Sequence, residues 1–170
     1  MIPPKAMAPE QTFVINHPYH PQDVGIPHYR PNKTPLIGLL GSFVLIIFIL
    51  LYGSLNVAKL CNSRLGRRDL STFLWFVLCG FLHCFFEGYY VINHQNIAMS
   101  QSLFSQLWKE YALSDSRYLT SDPFMLCIET FTAVVWGPLS WVIAWMICHY
   151  TYFRTAGQRH IGLSRAAKLL

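Results

Sequence analysis

Three ionisable side chains stand within apolar sequence, where such groups are energetically costly. His83 and Glu87 lie four residues apart in LCGFLHCFFEGYYV (78–91), and Glu129 lies in CIETFTAVVWGPLS (127–140). A spacing of four puts His83 and Glu87 on one face of a helix, one turn apart. Ionisable groups in hydrocarbon usually face a bundle interior or a cavity. We therefore expect these three side chains to line one pocket.

The residue types of this pocket suit proton transfer and the binding of a cation. Two carboxylates and an imidazole at low dielectric supply an acid, a base and a negative field. Thr132 and Trp136 follow Glu129 by three and seven residues, on the same helical face. An indole there could stabilise a cation by a cation–π interaction. The sequence contains no nucleophile elbow, phosphate loop or nucleotide fingerprint.

The residue types alone leave other interpretations open. A His–Glu hydrogen bond can simply tie two helices together. The three side chains could hold a metal ion, although three ligands without a further histidine are few. The same residue types also occur in proton or ion paths. The interpretation that we favour is a pocket for a hydrophobic or cationic amphiphilic ligand, with or without catalysis.

Membrane spans must position these side chains, because the chain is too apolar for an ordinary soluble domain. It is 53% hydrophobic and 12% charged, whereas soluble domains contain about 25% charged residues. Apolar stretches at residues 36–58, 70–92 and 124–150 are each long enough to cross a membrane as a helix. By helical rise, Glu87 lies about 9 Å past the middle of the second span and Glu129 about 10 Å before the middle of the third. Since consecutive spans run antiparallel, both carboxyls fall at similar depth.

The segments outside the spans have distinct compositions. Residues 1–35 form an irregular arm rich in Pro, His and Tyr, and they lack the apolar core of a signal peptide. Helical spacing of apolar residues predicts a short amphipathic helix at 102–112, which lies on the membrane or caps the bundle. Residues 151–170 form a basic tail that is too polar to span. The predicted fold is an all-α integral membrane protein, a helical bundle of three transmembrane helices plus a short interfacial helix.

The net charge of +5 is distributed unevenly along the chain. Basic residues crowd the first loop and follow the third span; they are Lys59, Arg64, Arg67, Arg68, Arg154, Arg159, Arg165 and Lys168. The positive-inside rule places these segments in the cytosol, and the arm and the second loop outside or in a lumen. Membrane topology thus accounts for the basic residues, and no nucleic-acid partner is expected.

Several segments of the chain closely resemble the emopamil-binding protein family, which comprises sterol Δ8–Δ7 isomerases of the endoplasmic reticulum. Besides the two span motifs above, they are HPYHP (17–21) and FSQLWKEYALSDSRYL (104–119), and the likeness covers about residues 17–150. The resemblance implies an EXPERA-like transmembrane domain at 36–150. It also implies a multi-pass protein of the endoplasmic reticulum membrane, with the nuclear envelope as a further location.

The resemblance implies a role for each residue of the pocket. In the family reaction a proton adds at C9 of a sterol, a carbocation forms at C8, and a proton leaves C7, with no nucleotide or metal cofactor. His83 and Glu87 would handle the protons, and the sequence does not say which of them is the acid and which the base. Glu129 would stabilise the cation, while Thr132 and Trp136 would contact the substrate. The implied partners are a sterol, cationic amphiphilic amines that imitate the carbocation, and membrane lipid.

The resemblance also implies a larger bundle than this sequence supplies. The family has five spans, and its later helices contribute an Asn and a Trp to the pocket, whereas the likeness here fades after about residue 150. We therefore expect a C-terminally truncated or alternatively spliced form with impaired activity, able to form a homodimer or to pair with a full-length form. The alternative hypotheses are a non-catalytic membrane protein that binds sterols or cationic amphiphiles, and a purely structural membrane subunit.

Overall fold

Three long helices dominate the computed structural model, which describes residues 17–63 and 65–149. Each is long and apolar enough to cross a membrane by length and composition; they are α1 (Leu36–Cys61), α2 (Arg67–Asn93) and α4 (Pro123–His149). No strand occurs within the described residues. The predicted all-α membrane architecture is confirmed. The predicted basic tail at 151–170 and residues 1–16 of the predicted arm lie outside the described residues.

The second and third of these helices begin before the predicted apolar stretches. The second helix begins at Arg67, three residues before the predicted span. The last helix begins after Asp122, whose carboxylate accepts hydrogen bonds from the backbone N–H groups of Phe124 and Met125 at 3.0 Å each. Pro123 occupies the first turn, where its missing N–H costs nothing.

Two glycines allow α2 and α4 to approach each other closely. A Cβ atom on Gly137 would clash with the thiol of Cys84 and would lie 3.3 Å from the Cβ of His83. A Cβ atom on Gly80 would lie 2.8 Å from the indole of Trp141. At the level of His83, the backbone of each helix therefore packs directly against side chains of the other. This close packing fixes the distance between the two helices.

Each of these two helices contains one π-helical turn, and the two turns pack against each other. They comprise Leu82–Glu87 in α2 and Thr132–Trp136 in α4. The backbone N–H of Gly88 donates to the carbonyl of His83, and that of Gly137 donates to the carbonyl of Thr132. A π turn inserts an extra residue into a helix and occurs frequently at functional sites.

A short helix, α3 (Leu103–Tyr111), and a 3₁₀ turn (Ser116–Leu119) connect α2 to α4. The sequence left open whether this helix lies on the membrane or caps the bundle. Its polar residues Ser105 and Lys109 are buried together with Leu107 and Trp108. The helix is therefore a cap, packed between the arm and the end of the bundle.

Side chains of α3 hold the arm in place through its backbone. The Lys109 ammonium donates to the carbonyl oxygens of Arg30 and Ser100 at 2.9 Å each. The side-chain oxygen of Gln106 accepts from the backbone N–H groups of Lys33 and Thr34 at 3.0 and 2.9 Å. These bonds satisfy polar groups that burial would otherwise leave unpaired.

Candidate functional site

His83 and Glu87 form a hydrogen-bonded pair in the π turn of α2. The Nδ1 atom of His83 lies 2.8 Å from Oε2 of Glu87, and their side chains are 29% and 19% exposed. At this distance a proton can pass directly between imidazole and carboxylate. The predicted adjacency of the two residues is present in the structure.

Glu129 lies at the end of the first α-helical part of α4 and is only 7% exposed. Its Oε1 accepts a hydrogen bond of 2.9 Å from the hydroxyl of Tyr118. A buried carboxylate requires such a partner, because removal from water otherwise penalises its charge strongly. Burial and this hydrogen bond raise the pKa of Tyr118 above its usual range, so its hydroxyl remains a donor at neutral pH.

The structure brings the three ionisable residues to one level of the bundle. Glu129 directly precedes the π turn of α4, and this turn packs against the π turn that carries His83 and Glu87. The α-helical segment Pro123–Phe131, which contains Glu129, also contacts the π turn of α2. The arrangement combines a hydrogen-bonded His–Glu pair on one helix with a buried carboxylate on the facing helix.

The two predicted substrate-contacting residues occupy different environments. The Thr132 hydroxyl donates to the backbone carbonyl of Glu129 at 2.9 Å, so it lies one turn from the buried carboxylate. Trp136 is 48% exposed, and its ring contacts Phe131 at a centroid distance of 6.2 Å. The expectation of a face shared with Glu129 assumed regular α-helical spacing, whereas the π turn adds a residue between them. The roles of Thr132 and Trp136 in substrate binding remain predictions.

Two apolar grooves have linings that include none of the three ionisable residues. One, of about 520 Å³, runs between α1, α2 and α4 and is lined by residues that include Phe73, Val77 and Trp141. The other, of about 550 Å³, follows the outer face of α4 beside Leu126 and Val134. The chemistry-bearing residues thus lie where the π turns meet, and not in either groove.

Comparison with known proteins identifies the family. Residues 103–164 match the description EXPERA (EXPanded EBP superfamily). The chain is 39% identical over 142 residues to the 3-beta-hydroxysteroid-Delta(8),Delta(7)-isomerase of Rattus norvegicus, which covers 80% of this chain and 60% of the relative. It is 38% identical over 141 residues to the protein of the same name from Cavia porcellus, covering 78% of this chain and 59% of the relative. The chain belongs to the EXPERA family. A probable isomerase of the same name from Arabidopsis thaliana is 32% identical over 131 residues, covering 74% of this chain and 56% of the relative.

These relatives confirm the resemblance on which the sequence interpretation relied. The EXPERA chain spans about 60% of the length of the curated relatives that it matches. The region that matches the family description includes α3, the 3₁₀ turn and Glu129. The two connecting elements and the buried carboxylate therefore lie within the region that matches the family.

Sequence reasoning did not single out Tyr118 as a functional residue of this EXPERA chain. Tyr118 lies 11 residues before Glu129, outside the predicted spans, so neither helical spacing nor membrane depth relates the two. The available signal was the specificity of the motif LWKEYA-x-x-DSRY, whose final tyrosine is Tyr118. The structure explains this residue as the hydrogen-bond donor to the buried carboxylate.

Proposed function

We propose that this EXPERA chain is a sterol Δ8–Δ7 isomerase, which moves a ring double bond by adding one proton and removing another. The observation that carries the proposal is the hydrogen-bonded pair of His83 and Glu87 on a π turn that packs against the segment bearing buried Glu129. Relatives that are 38–39% identical to the chain are named for this reaction.

The proposed reaction uses the paired residues for both proton transfers. The electron pair of the C8=C9 bond takes a proton at C9, which leaves a tertiary cation at C8. Loss of the C7 proton then returns an electron pair to form the C7=C8 bond, so the sterol keeps its composition. A pair with Nδ1 and Oε2 only 2.8 Å apart can act as acid in one step and as base in the other.

Glu129 supplies the negative charge that the cationic intermediate requires. A preorganised charge in a site that excludes water stabilises a developing opposite charge far more than the same charge in water does. The hydroxyl of Tyr118 fixes the orientation of this carboxylate through Oε1. A protonated amine would meet the same charge, so we include cationic amphiphilic amines among the proposed ligands. The proposed location of the chain is the endoplasmic reticulum membrane.

Sterol analysis in cells that lack an endogenous Δ8–Δ7 isomerase tests the proposal. Expression of the chain should lower the accumulated Δ8-sterol and raise the Δ7-sterol, as measured by mass spectrometry. As a control, Asp69→Asn removes a carboxylate near the start of α2, about 27 Å along the helix from Glu87, and should retain the effect. An unchanged Δ8-sterol content, with the chain shown to be present in the membrane, would refute the proposal.

A further inference from the structure

We infer that Trp108 of α3 is a positioning residue, which sets the orientation of Glu87 through the backbone of the π turn. This inference rests on the proposed isomerase function. It extends the catalytic arrangement beyond the two spans to the cap helix, which touches neither His83 nor Glu87 by any side-chain hydrogen bond within the described residues.

The contact between Trp108 and the π turn combines a hydrogen bond with ring stacking. The indole Nε1 donates to the carbonyl of Phe86 at 3.0 Å, and Trp108 is only 2% exposed. The rings of Trp108 and Phe86 are stacked at a centroid distance of 4.7 Å and an interplanar angle of 9°. Two independent contacts thus hold the residue that immediately precedes Glu87.

The geometry of the peptide bond carries this constraint to the carboxylate. The carbonyl of Phe86 and the N–H of Glu87 belong to one planar peptide unit. A hydrogen bond that fixes the direction of the carbonyl therefore fixes the plane from which the Glu87 side chain departs. The backbone adopts a π turn less readily than an α-helix. An external hydrogen-bond donor therefore has more influence on the backbone conformation here than it would in a regular helix.

Trp108 and its neighbour Lys109 are themselves held by contacts with other parts of the molecule. The neighbouring Lys109 is anchored by two carbonyl groups of the arm and the connecting loop. On its other side, the indole packs against Tyr118 at a centroid distance of 5.0 Å, and Tyr118 donates to Glu129. Trp108 therefore lies between the contact to the proton-transfer pair on α2 and the contact to the carboxylate on α4.

The test measures turnover and substrate affinity separately in purified membranes that contain the chain and are supplied with a Δ8-sterol. Trp108→Phe keeps an aromatic ring beside Phe86 and removes the N–H donor. It should lower kcat by roughly 10- to 100-fold, the range expected when a catalytic group is misplaced, with KM changed less than about twofold. Trp75→Phe is the matched control, because Trp75 is 61% exposed on the same helix as Glu87, and it should retain the wild-type kcat.

A second variant separates the hydrogen bond from the packing. Replacement of Trp108 by β-(3-benzothienyl)alanine keeps the size of the indole and exchanges only its N–H for sulfur, so the chain should fold with an unchanged melting temperature and still lose kcat. Wild-type kcat in this variant would overturn the role given to Trp108. A loss of kcat/KM that arises entirely from a higher KM would overturn it as well. Absence of turnover in the wild-type chain would instead overturn the proposed function, and the inference with it.

Discussion

At the scale of single residues, the proposed reaction assigns proton transfer and charge stabilisation to residues in different environments. His83 and Glu87 share one hydrogen bond and retain some exposure, which suits groups that must exchange protons. Glu129 is more deeply buried, and the hydrogen bond that it receives from a tyrosine holds the orientation of its carboxylate. Substitutions at the two positions should therefore have different kinetic consequences.

Glu129→Gln should abolish most isomerisation and should also weaken the binding of amine ligands. Glutamine keeps the shape of the side chain but removes the negative charge that a carbocation or an ammonium group would meet. The expected loss of transition-state stabilisation is about 3 kcal/mol, comparable to the loss of one preorganised group in other enzymes. Turnover by mass spectrometry and displacement of a labelled amine measure the two effects. Unchanged amine affinity would refute the role given to Glu129.

His83→Ala should reduce turnover more than ligand binding, because proton transfer matters mainly in the transition state. We expect a loss of kcat of roughly 10²- to 10⁴-fold, the usual contribution of a general acid or base. The same turnover and displacement assays apply, with Asp69→Asn as the control. A parallel loss of amine affinity and turnover would show that His83 acts in binding rather than in proton transfer.

At the scale of elements, close helix packing and the cap determine whether the site forms. The meeting of the two π turns depends on Gly137, against which Cys84 and His83 pack without intervening side-chain atoms. The cap depends on Lys109, a fully buried lysine that ties the arm to α3. Each element offers a test of stability that is independent of turnover.

Gly137→Ala should destabilise the chain by about 1–3 kcal/mol, the usual cost of overpacking a tight interface. The added methyl group would clash with Cys84 and would force α2 and α4 apart beside His83. Thermal unfolding in detergent measures the effect. Gly41→Ala is the control, because no atom lies within 4 Å of a Cβ placed there. Equal melting temperatures for the two variants would show that the close approach does not constrain the bundle.

The buried lysine predicts a pH dependence of stability. Burial lowers the pKa of Lys109 from 10.5 to about 8, so the folded state binds this proton less tightly than the unfolded state. The stability contribution is therefore fully present above pH 10.5 and is lost as the pH falls through about 8. Burial raises the pKa of Tyr19 and Tyr118 above the usual value of 10, so their contributions are lost above that pH.

Together these groups should make the melting temperature rise from about pH 8 and reach its maximum near pH 10. Lys109→Met should remove the rise in melting temperature across this range. Lys59→Met, at an exposed position in the last turn of α1, should preserve it. A rise of the same size in both variants would show that Lys109 is not its source.

At the scale of the whole molecule, three spans carry the site and the arm with α3 closes one end of the bundle. The site residues Glu87 and Glu129 lie toward the end that this cap covers, since α2 runs toward α3 and α4 starts after it. The distribution of basic residues predicts that this capped end faces a lumen or the cell exterior, while the loop between α1 and α2 faces the cytosol.

An acceptor site for N-glycosylation, inserted with a flexible spacer into the loop at 62–68, should remain unmodified if this orientation is correct. The same cassette placed at the start of the arm should be modified, because the arm lies on the opposite side of the first span. Gel mobility before and after treatment with a glycosidase reports both results. Efficient modification at 62–68 would reverse the assigned orientation.

The three spans, the short connecting helix and the similar depth of the ionisable residues could be predicted from the sequence. These features follow from apolar length, helical periodicity and a constant rise per residue, which act locally along the chain. The tertiary structure alone decided that Tyr118 bonds to Glu129, that the indole of Trp108 reaches the Phe86 carbonyl, and that Lys109 is buried. Each of these depends on how separate elements pack, and no local pattern encodes it. The π turns also could not be predicted from local patterns, because regular helical periodicity does not indicate where an extra residue is inserted. They occur where the helices pack closely at Gly137 and where the cap contacts α2.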